Sequence, residues 1–271
     1  MKYFWKDSEA VSGRLLGARS LLVALDFDGT LAALAGSPDH ARLTPEFKAA
    51  LRKLAGLHGV HVFILSGRAL QSVRRLVGLK NIHYGGNHGI EVRGPGSAWS
   101  DDIALRMRAR MNAAAESLRR RFPPGTGVLV EDKLYSVSVH YRNLKAAHRR
   151  VFFGRMKSLM AERRPGLRWR GGHKVFELLP ENAAHKGHAL TRLAGKLGGP
   201  LCVAVGDDVT DEDMFEAAAG RGIAIRVGRK SGSKAGYFLR GQPEVLRLLR
   251  FIADSRSWNT NSPEKTCSDV F

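Results

Sequence analysis

The chain has 271 residues, 44% of them apolar, which suffices for one large domain or two modest ones built around a true core. Its 44 Lys/Arg against 25 Asp/Glu leave a formal charge of +19, a balance that attracts anions, and no apolar window reaches the ~18 residues that a membrane span needs. The start, MKYFWKDSEAVSGR, lacks the apolar block of a secretory leader, and the two cysteines, Cys202 in an apolar run and Cys267 in a polar tail, suggest no disulfide framework, so the expected location is cytoplasmic.

In chain order, SLLVALDFDGTL (20–31) is a continuous apolar run ending in acids and glycine, the pattern of a buried parallel strand leaving its sheet. TPEFKAALRKLAG follows with Thr44 as N-cap, Pro45 at the first helical position and Gly56 past the end, and so predicts a helix. GVHVFILSGR (59–68) predicts a second buried strand and ALQSVRRLVG (69–78) a second helix. The middle of the chain differs. After a helix at about 101–121, GVLVEDKLYSVSVHYRN alternates inward and outward residues as an antiparallel hairpin does, and LRWRGGHKVFELLP suggests two more strands after another helix. KGHALTRLAGKLG, PLCVAVGDD, TDEDMFEAAAG and GIAIRVG then resume the strand–helix rhythm, and residues 255–271 are polar enough for a frayed tail. The expected fold is α/β: a Rossmann-like, doubly wound parallel sheet from residues 1–105 and 181–271, interrupted by a smaller α+β module at 106–180.

GDDVTDED (206–213) puts five carboxylates into eight positions of this basic chain, which is either a solvated helix start or a place where a cation completes the charge balance. The ends of the predicted segments favour the second. Asp26 and Asp28, Ser66, Lys186, and Asp207 with Asp208 and Asp211 all fall where a doubly wound sheet opens its crevice. Two carboxylates on one strand face can attack and handle a proton, Asp207 adds a hard oxygen suited to Mg²⁺, and Ser66, the amides around Gly67 and the Lys186 ammonium suit phosphate oxygens. Asp208 and Asp211 are expected to orient the ligands around the metal, and Glu212 and Asp213 to be favourable charges in a first helical turn.

DFDGTL, SGR, KG and GDDVTDEDMF, in this order, resemble the four motifs of the haloacid dehalogenase (HAD) superfamily of phosphohydrolases. The resemblance implies that Asp26 is a nucleophile forming an aspartyl-phosphate, that Asp28 protonates the leaving alcohol and later activates water, and that Mg²⁺ is held by Asp26, Asp207 and the main-chain carbonyl of Asp28. It also makes the inserted module a cap lying between the second and third motifs. VEDKLYSVSVHYR, GGNHGIE and the wording of the fourth motif further resemble the trehalose-6-phosphate phosphatases, over roughly residues 20–250. That family implies hydrolysis of trehalose 6-phosphate with Mg²⁺, with Glu131, Lys133 and Glu177 gripping the sugar and Asn87 and His88 near the cleft.

From the residues alone, Glu131, Lys133 and Glu177 are either sugar contacts or a cross-strand ion pair on a wet sheet face. His140 and Arg142 are either substrate contacts or cross-strand packing and surface charge, Arg68 either a phosphate ligand or a cap of its helix, His185 and His188 flank Lys186 at a helix start and are given no role, and Trp99 and Trp169 are read as packing. Residues 106–180 hold 18 Lys/Arg against 5 Asp/Glu. That surplus marks solvated helix ends such as LRRRF and AERRPG, a field that steers an anionic ester, or a polyanion-binding surface. With no nucleic-acid motif present, the expected partner is a small sugar phosphate, with no nucleic acid and no membrane, and the expected state is a monomer. A sibling phosphatase for sucrose phosphate or a glycosylated phosphoglycerate is the alternative within the same chemistry.

Overall fold

The computed structural model describes residues 1–33, 41–172, 174–220 and 222–260. Two sheets dominate it. The larger has nine strands: β1 (Lys2–Tyr3), β2 (Leu21–Asp26), β3 (Val60–Leu65), β4 (His83–Gly86), β5 (Glu91–Gly94), β6 (Ser97–Ser100), β11 (Leu201–Gly206), β12 (Ile223–Val227) and β13 (Tyr237–Leu239). Their order is β1-β13-β12-β11-β2-β3-β4-β5-β6, parallel from β1 to β4 and antiparallel only at β5 and β6.

Burial on both faces explains the unbroken apolar runs. Leu21, Val23 and Leu25 of β2 face a cluster formed with α1 (Ser8–Gly17), α2 (Pro45–Ala55), α3 (Leu70–Val77) and α8 (Gln242–Thr260), while Leu22 and Ala24 face α6 (Lys186–Lys196) and α7 (Glu212–Ala219). Every residue of β2 is buried, so alternation of polarity has no place in it. The expected helix boundaries hold at α2, with Thr44 as N-cap and Gly56 as C-cap, and at α3, where Gly78 takes the left-handed conformation, φ 64°.

The second sheet is antiparallel, in the order β7-β8-β10-β9, with β7 (Leu129–Asp132), β8 (Val137–His140), β9 (Leu167–Gly172) and β10 (Val175–Pro180). Here the period-2 pattern has a direct cause. Val137, Val139 and Leu178 point into a cluster with α4 (Asp102–Arg121) and α5 (Arg149–Ala161), whereas Ser136, Ser138 and Glu177 point the other way, toward the large sheet. The expected division at 105/106 falls inside α4, whose N-cap Asp101 accepts from the amide of Ala104 and whose first turn packs Ala104 against Ile90, Tyr135 and Ala183.

The structure adds elements that the sequence pattern did not announce: β1, α1, β4 to β6, β13 and α8. The tail reading needs correction in part, because 255–260 continue α8, with Arg256 buried and donating to the carbonyls of Leu15 and Ala18; residues 261–271, Cys267 among them, lie outside the described residues. Cys202 is half-buried against the α6–α7 side of the core, and burial raises its thiol pKa. No described helix is long and apolar enough to cross a membrane.

Candidate active site

The chain leaves β2 in one direction, through β3 and β4, and β11 in the other, through β12 and β13. β2 and β11 are neighbours, so their carboxyl ends flank the point where the winding reverses, and the crevice of a doubly wound sheet forms there. Asp26 is the last residue of β2, and Asp207 follows the last residue of β11. Carboxylate oxygens of Asp26, Asp207 and Asp211 lie within 4.8 Å of one another.

Lys186 reaches this cluster from below. It opens α6 rather than ending a strand, is 1% exposed, and donates to Asp26 Oδ1 at 2.5 Å and Asp211 Oδ1 at 2.6 Å. Burial alone would depress its ammonium; the carboxylates of Asp211 and Asp26 outweigh burial and hold its pKa above the ordinary value. The opposite holds for the acids. Burial, aided by Asp211 and Asp207 and opposed by Lys186, raises Asp26 well above the usual carboxylate range, and burial with Asp211 pushes Asp207 up to about 6. Three carboxylates against one ammonium leave two negative charges uncompensated, which one divalent cation would balance. The donors are hard oxygens, so the set fits Mg²⁺.

The loop after β11 is built to present Asp207. Asp211 Oδ2 accepts from the amides of both Asp207 and Asp208, and the Asp208 side chain caps the turn by accepting from Val209 N. With both oxygens of Asp211 engaged, Asp26 and Asp207 are the carboxylates left to meet a metal. Thr30 donates to Asp207 Oδ1 at 3.2 Å. Gly29 has φ 89°, and a Cβ there would lie 2.3 Å from Asp207 Oδ2, so only glycine fits. Arg226 of β12, 6% exposed, donates to the main-chain carbonyls of Asp207 and Asp208 and pairs with Glu212 at 2.9 Å. Glu212, expected to be only a first-turn charge, thus anchors the arginine that holds this loop. A lone arginine inside the apolar run GIAIRVG was the available signal for it.

Asp28 behaves differently from Asp26. Its carboxylate does not join the acidic cluster; it accepts from Arg68 Nε at 2.8 Å and Arg68 Nη2 at 2.6 Å. Ser66 is fully buried, and its hydroxyl accepts from the amide of Arg68, so Gly67 and Arg68, rather than Ser66, line the cleft.

That cleft has a volume of about 410 Å³ and runs between the two sheets. Asp26, Asp28, Lys186, Asp207 and Asp208 form one wall; Glu131, Lys133, Glu177, His140, Arg142 and Arg170 form the other. β7, β8 and β10 set Glu131, Ser138 and Glu177 in register, so their side chains share the face toward the large sheet. Glu177 accepts from Lys133 Nζ at 3.1 Å and from Ser136 and Ser138, and lies 2.7 Å from His88 Nε2. Burial would raise Glu177, but Lys133 and His88 outweigh it and hold the carboxyl well below its usual range. Lys133 also donates to the carbonyl of Gly67, which ties the second sheet to the loop after β3. Glu131 pairs with His140 at 2.9 Å.

Asn87 and His88 part company. Both have positive φ, 48° and 59°, at the turn after β4. His88 lines the cleft, but Asn87 is fully buried away from it: its amide donates to Glu91 and to the carbonyl of Lys133, and its oxygen accepts from Ser136. Asn87 therefore holds the strand turn that carries Lys133 and does not face the cleft. His185 and His188 stack at 3.8 Å beside the site, and Trp99 packs in the core beneath Arg192 and Lys196.

A family model described as trehalose-phosphatase matches residues 24–243. A trehalose-phosphate phosphatase of Mycobacterium bovis is 39% identical over 218 residues, covering 78% of this chain and 55% of its own length. A probable trehalose-phosphate phosphatase 3 of Oryza sativa subsp. japonica is 32% identical over 269 residues, covering 91% of this chain and 72% of its own length. The chain thus spans little more than half the length of the first of these curated relatives. Among solved structures, that of a trehalose-6-phosphate phosphatase related protein superposes with a TM-score of 0.72 at 23% identity, covering 86% of this chain and 97% of the other, a likeness that shows the fold alone.

Proposed function

The chain belongs to the trehalose-phosphatase family, and from that premise we propose that it is a Mg²⁺-dependent phosphoric monoester hydrolase that converts trehalose 6-phosphate to trehalose and phosphate. One observation carries the reading: an Asp26–Asp207–Asp211 cluster with Lys186, two charges short of neutrality, shares a cleft with the sugar-suited groups Glu131, Lys133 and Glu177. We assign residues 106–180 as the cap that selects the substrate, and 1–105 with 181–271 as the hydrolase core.

Asp26 and Asp207, with the main-chain carbonyl of Asp28, would hold the metal, which supplies charge neutralisation for the transferred phosphoryl group. In the chemistry we assign, an Asp26 oxygen attacks phosphorus and the bond from phosphorus to the sugar oxygen breaks. Asp28 gives its proton to that leaving oxygen, then takes one from the water that attacks the aspartyl-phosphate and frees Asp26 and phosphate. Lys186 keeps Asp26 aimed through the 2.5 Å contact and offsets charge on the phosphoryl oxygens. A protonated Asp28 cannot keep both bonds to Arg68, so the acid role requires Arg68 to release at least one of them, and the substrate phosphate is the anion positioned to take it.

The experiment is phosphate release from a panel of sugar phosphates with and without Mg²⁺. Trehalose 6-phosphate should turn over fastest and only with metal; equal rates on sucrose phosphate or on simple hexose phosphates would overturn the substrate assignment. Asp26→Asn should abolish turnover of every ester. Glu131→Ala should impair trehalose 6-phosphate and spare small activated esters.

A further inference from the structure

Two features of residues 102–161 have no role in the chemistry above. Of the seven large apolar side chains exposed among the described residues, five lie here: Leu105, Leu129, Val151, Phe153 and Met160. The basic surplus of 106–180, 18 Lys/Arg against 5 Asp/Glu, is concentrated in the same stretch.

On α5 the two features coincide. Arg150, Phe153, Lys157 and Met160 are all exposed and follow the spacing i, i+3, i+7, i+10, so they form one ridge about 15 Å long in which cations alternate with apolar groups. α5 contains no acid. Arg149, Arg150 and Lys157 form no ion pair among the described residues, and Glu162, just beyond the helix, is committed to Arg121 and Arg164. α4 lies alongside, joined through the bond from Arg155 to the carbonyl of Arg121, and exposes Arg106, Arg108, Arg119 and Arg120.

Arg150, Lys157 and Met160 stand outside the core, while Phe153, 41% exposed, also meets the rings of Tyr141, Phe152 and Phe176 along one edge. The face of α5 that meets the core is made by Phe152, Met156 and Leu159, packed on Val137, Val139 and Leu178. The outward face is turned away from the cleft, because those valines and Leu178 alternate with Ser138 and Glu177, which point into it. A partner seated on α5 would leave the cleft open.

We propose that the α4–α5 face, centred on Arg150, Phe153, Lys157 and Met160, docks onto an anionic phospholipid surface. A lipid surface satisfies both halves of the ridge: headgroup phosphates meet the guanidinium and ammonium groups, and the acyl boundary takes the phenyl and thioether groups. A nucleic acid would use the cations and leave Phe153 and Met160 against phosphate. The absence of a spanning segment argued against a membrane partner, but contact with a surface needs no such segment. The inference is independent of which ester the cleft hydrolyses.

The test is co-sedimentation of the full chain with vesicles of equimolar phosphatidylglycerol and phosphatidylcholine, against vesicles of phosphatidylcholine alone. The protein should sediment with the anionic vesicles only, and less so as salt is raised. Phe153→Ser with Met160→Ser, which leaves the charge unchanged, and Arg150→Gln with Lys157→Gln should each weaken binding by about tenfold, with phosphate release as in the parent chain; the unfolding midpoint should match the parent's for the glutamine pair and fall modestly for the serine pair, which loses the Phe153 contacts with Tyr141 and Phe176. Phe153→Trp, a larger wedge, should bind anionic vesicles more tightly while staying in the supernatant without vesicles and with phosphatidylcholine alone, which an aggregated or misfolded chain would not do. Failure to sediment with anionic vesicles, or binding indifferent to both double variants, overturns the proposal. So does binding lost with the cations but unaffected at Phe153 and Met160, together with retention of a charge-matched RNA duplex, because the partner would then be a polyanion and not a lipid.

Discussion

Arg226 donates to the main-chain carbonyl of Asp207 and, at 3.1 Å, to that of Asp208, so the loop that aims the Asp207 carboxylate is held from the neighbouring strand. Its other partner, Glu212, closes the arrangement from the start of α7. Arg226→Met keeps the length and apolar stem but leaves two carbonyls and Glu212 Oε1 without their donor, while Glu212 Oε2 keeps the amide of Lys234. We expect a chain that folds and whose affinity for Mg²⁺ falls by about tenfold, or about 1.4 kcal/mol. Mg²⁺ titration followed by calorimetry measures this directly, and Arg226→Lys should recover part of the loss. An unchanged titration curve would mean that Asp211 alone holds the loop.

Gly29 gives a second handle on the same carboxylate, from the β2 side. Alanine would adopt φ 89° at a cost of about 1–2 kcal/mol, and its Cβ would overlap Asp207 Oδ2. Asp207 must move, and Thr30 then loses its bond to it. If Mg²⁺ occupies the proposed site, it should raise the parent's unfolding temperature, and Gly29→Ala should unfold only slightly below the parent without metal yet gain little from added Mg²⁺. If Mg²⁺ raises both midpoints equally, the close approach is relieved elsewhere and the argument fails.

How far these residues were legible depends on what each answers to. Asp26 and Asp207 could be read because a fully buried parallel strand is an unbroken apolar run, and the acid that ends it stands out. Glu131 and Lys133 could be read as sharing a face because inward and outward residues alternate along an antiparallel strand, so parity is visible in VEDKLYSVSVHYR, whereas Glu177 on a neighbouring strand could only be offered as a third contact. Asn87 could not be placed: whether its amide turns to the cleft or to the carbonyl of Lys133 depends on a segment 46 residues away. Arg68 was left between two roles for the same reason, since its partner Asp28 lies 40 residues off. β4 to β6 escaped notice because HYGG has little side-chain pattern; Gly85 and Gly86 are set by close approach to Leu65 and Leu70, a tertiary fact.

The Lys133–Glu177 pair is nearly dry, with both side chains under 10% exposed. Burying such charges is costly, so the pair adds little net stability, but removing one member strands the other. Lys133→Met leaves Glu177 with His88 and two serine hydroxyls, and should destabilise the fold by about 3 kcal/mol. Adding Glu177→Gln removes the stranded charge and should restore much of that loss. Denaturant unfolding of the two single variants and the double variant gives the coupling energy. Strict additivity would show that the two side chains do not depend on each other.

His83 gives the fold a pH dependence separate from the cleft. The residue is 2% exposed, its ring lies edge-on to Phe63, its Nδ1 has no partner among the described residues, and Gly94 leaves no room above it. Burial, with the nearby His61 adding, lowers its pKa from 6.5 to about 4. Above pH 6.5 the ring is neutral in folded and unfolded chains alike, and its contribution to stability is at its full value. Between 6.5 and about 4 the unfolded chain binds the proton and the folded chain does not, so stability falls as the pH is lowered across that window. A shift of that size sets a ceiling of about 3 kcal/mol. His83→Gln cannot take up that proton, so its urea midpoint should fall less than the parent's between pH 7 and pH 5. Identical falls in the two chains would place the acid sensitivity of the fold in other groups.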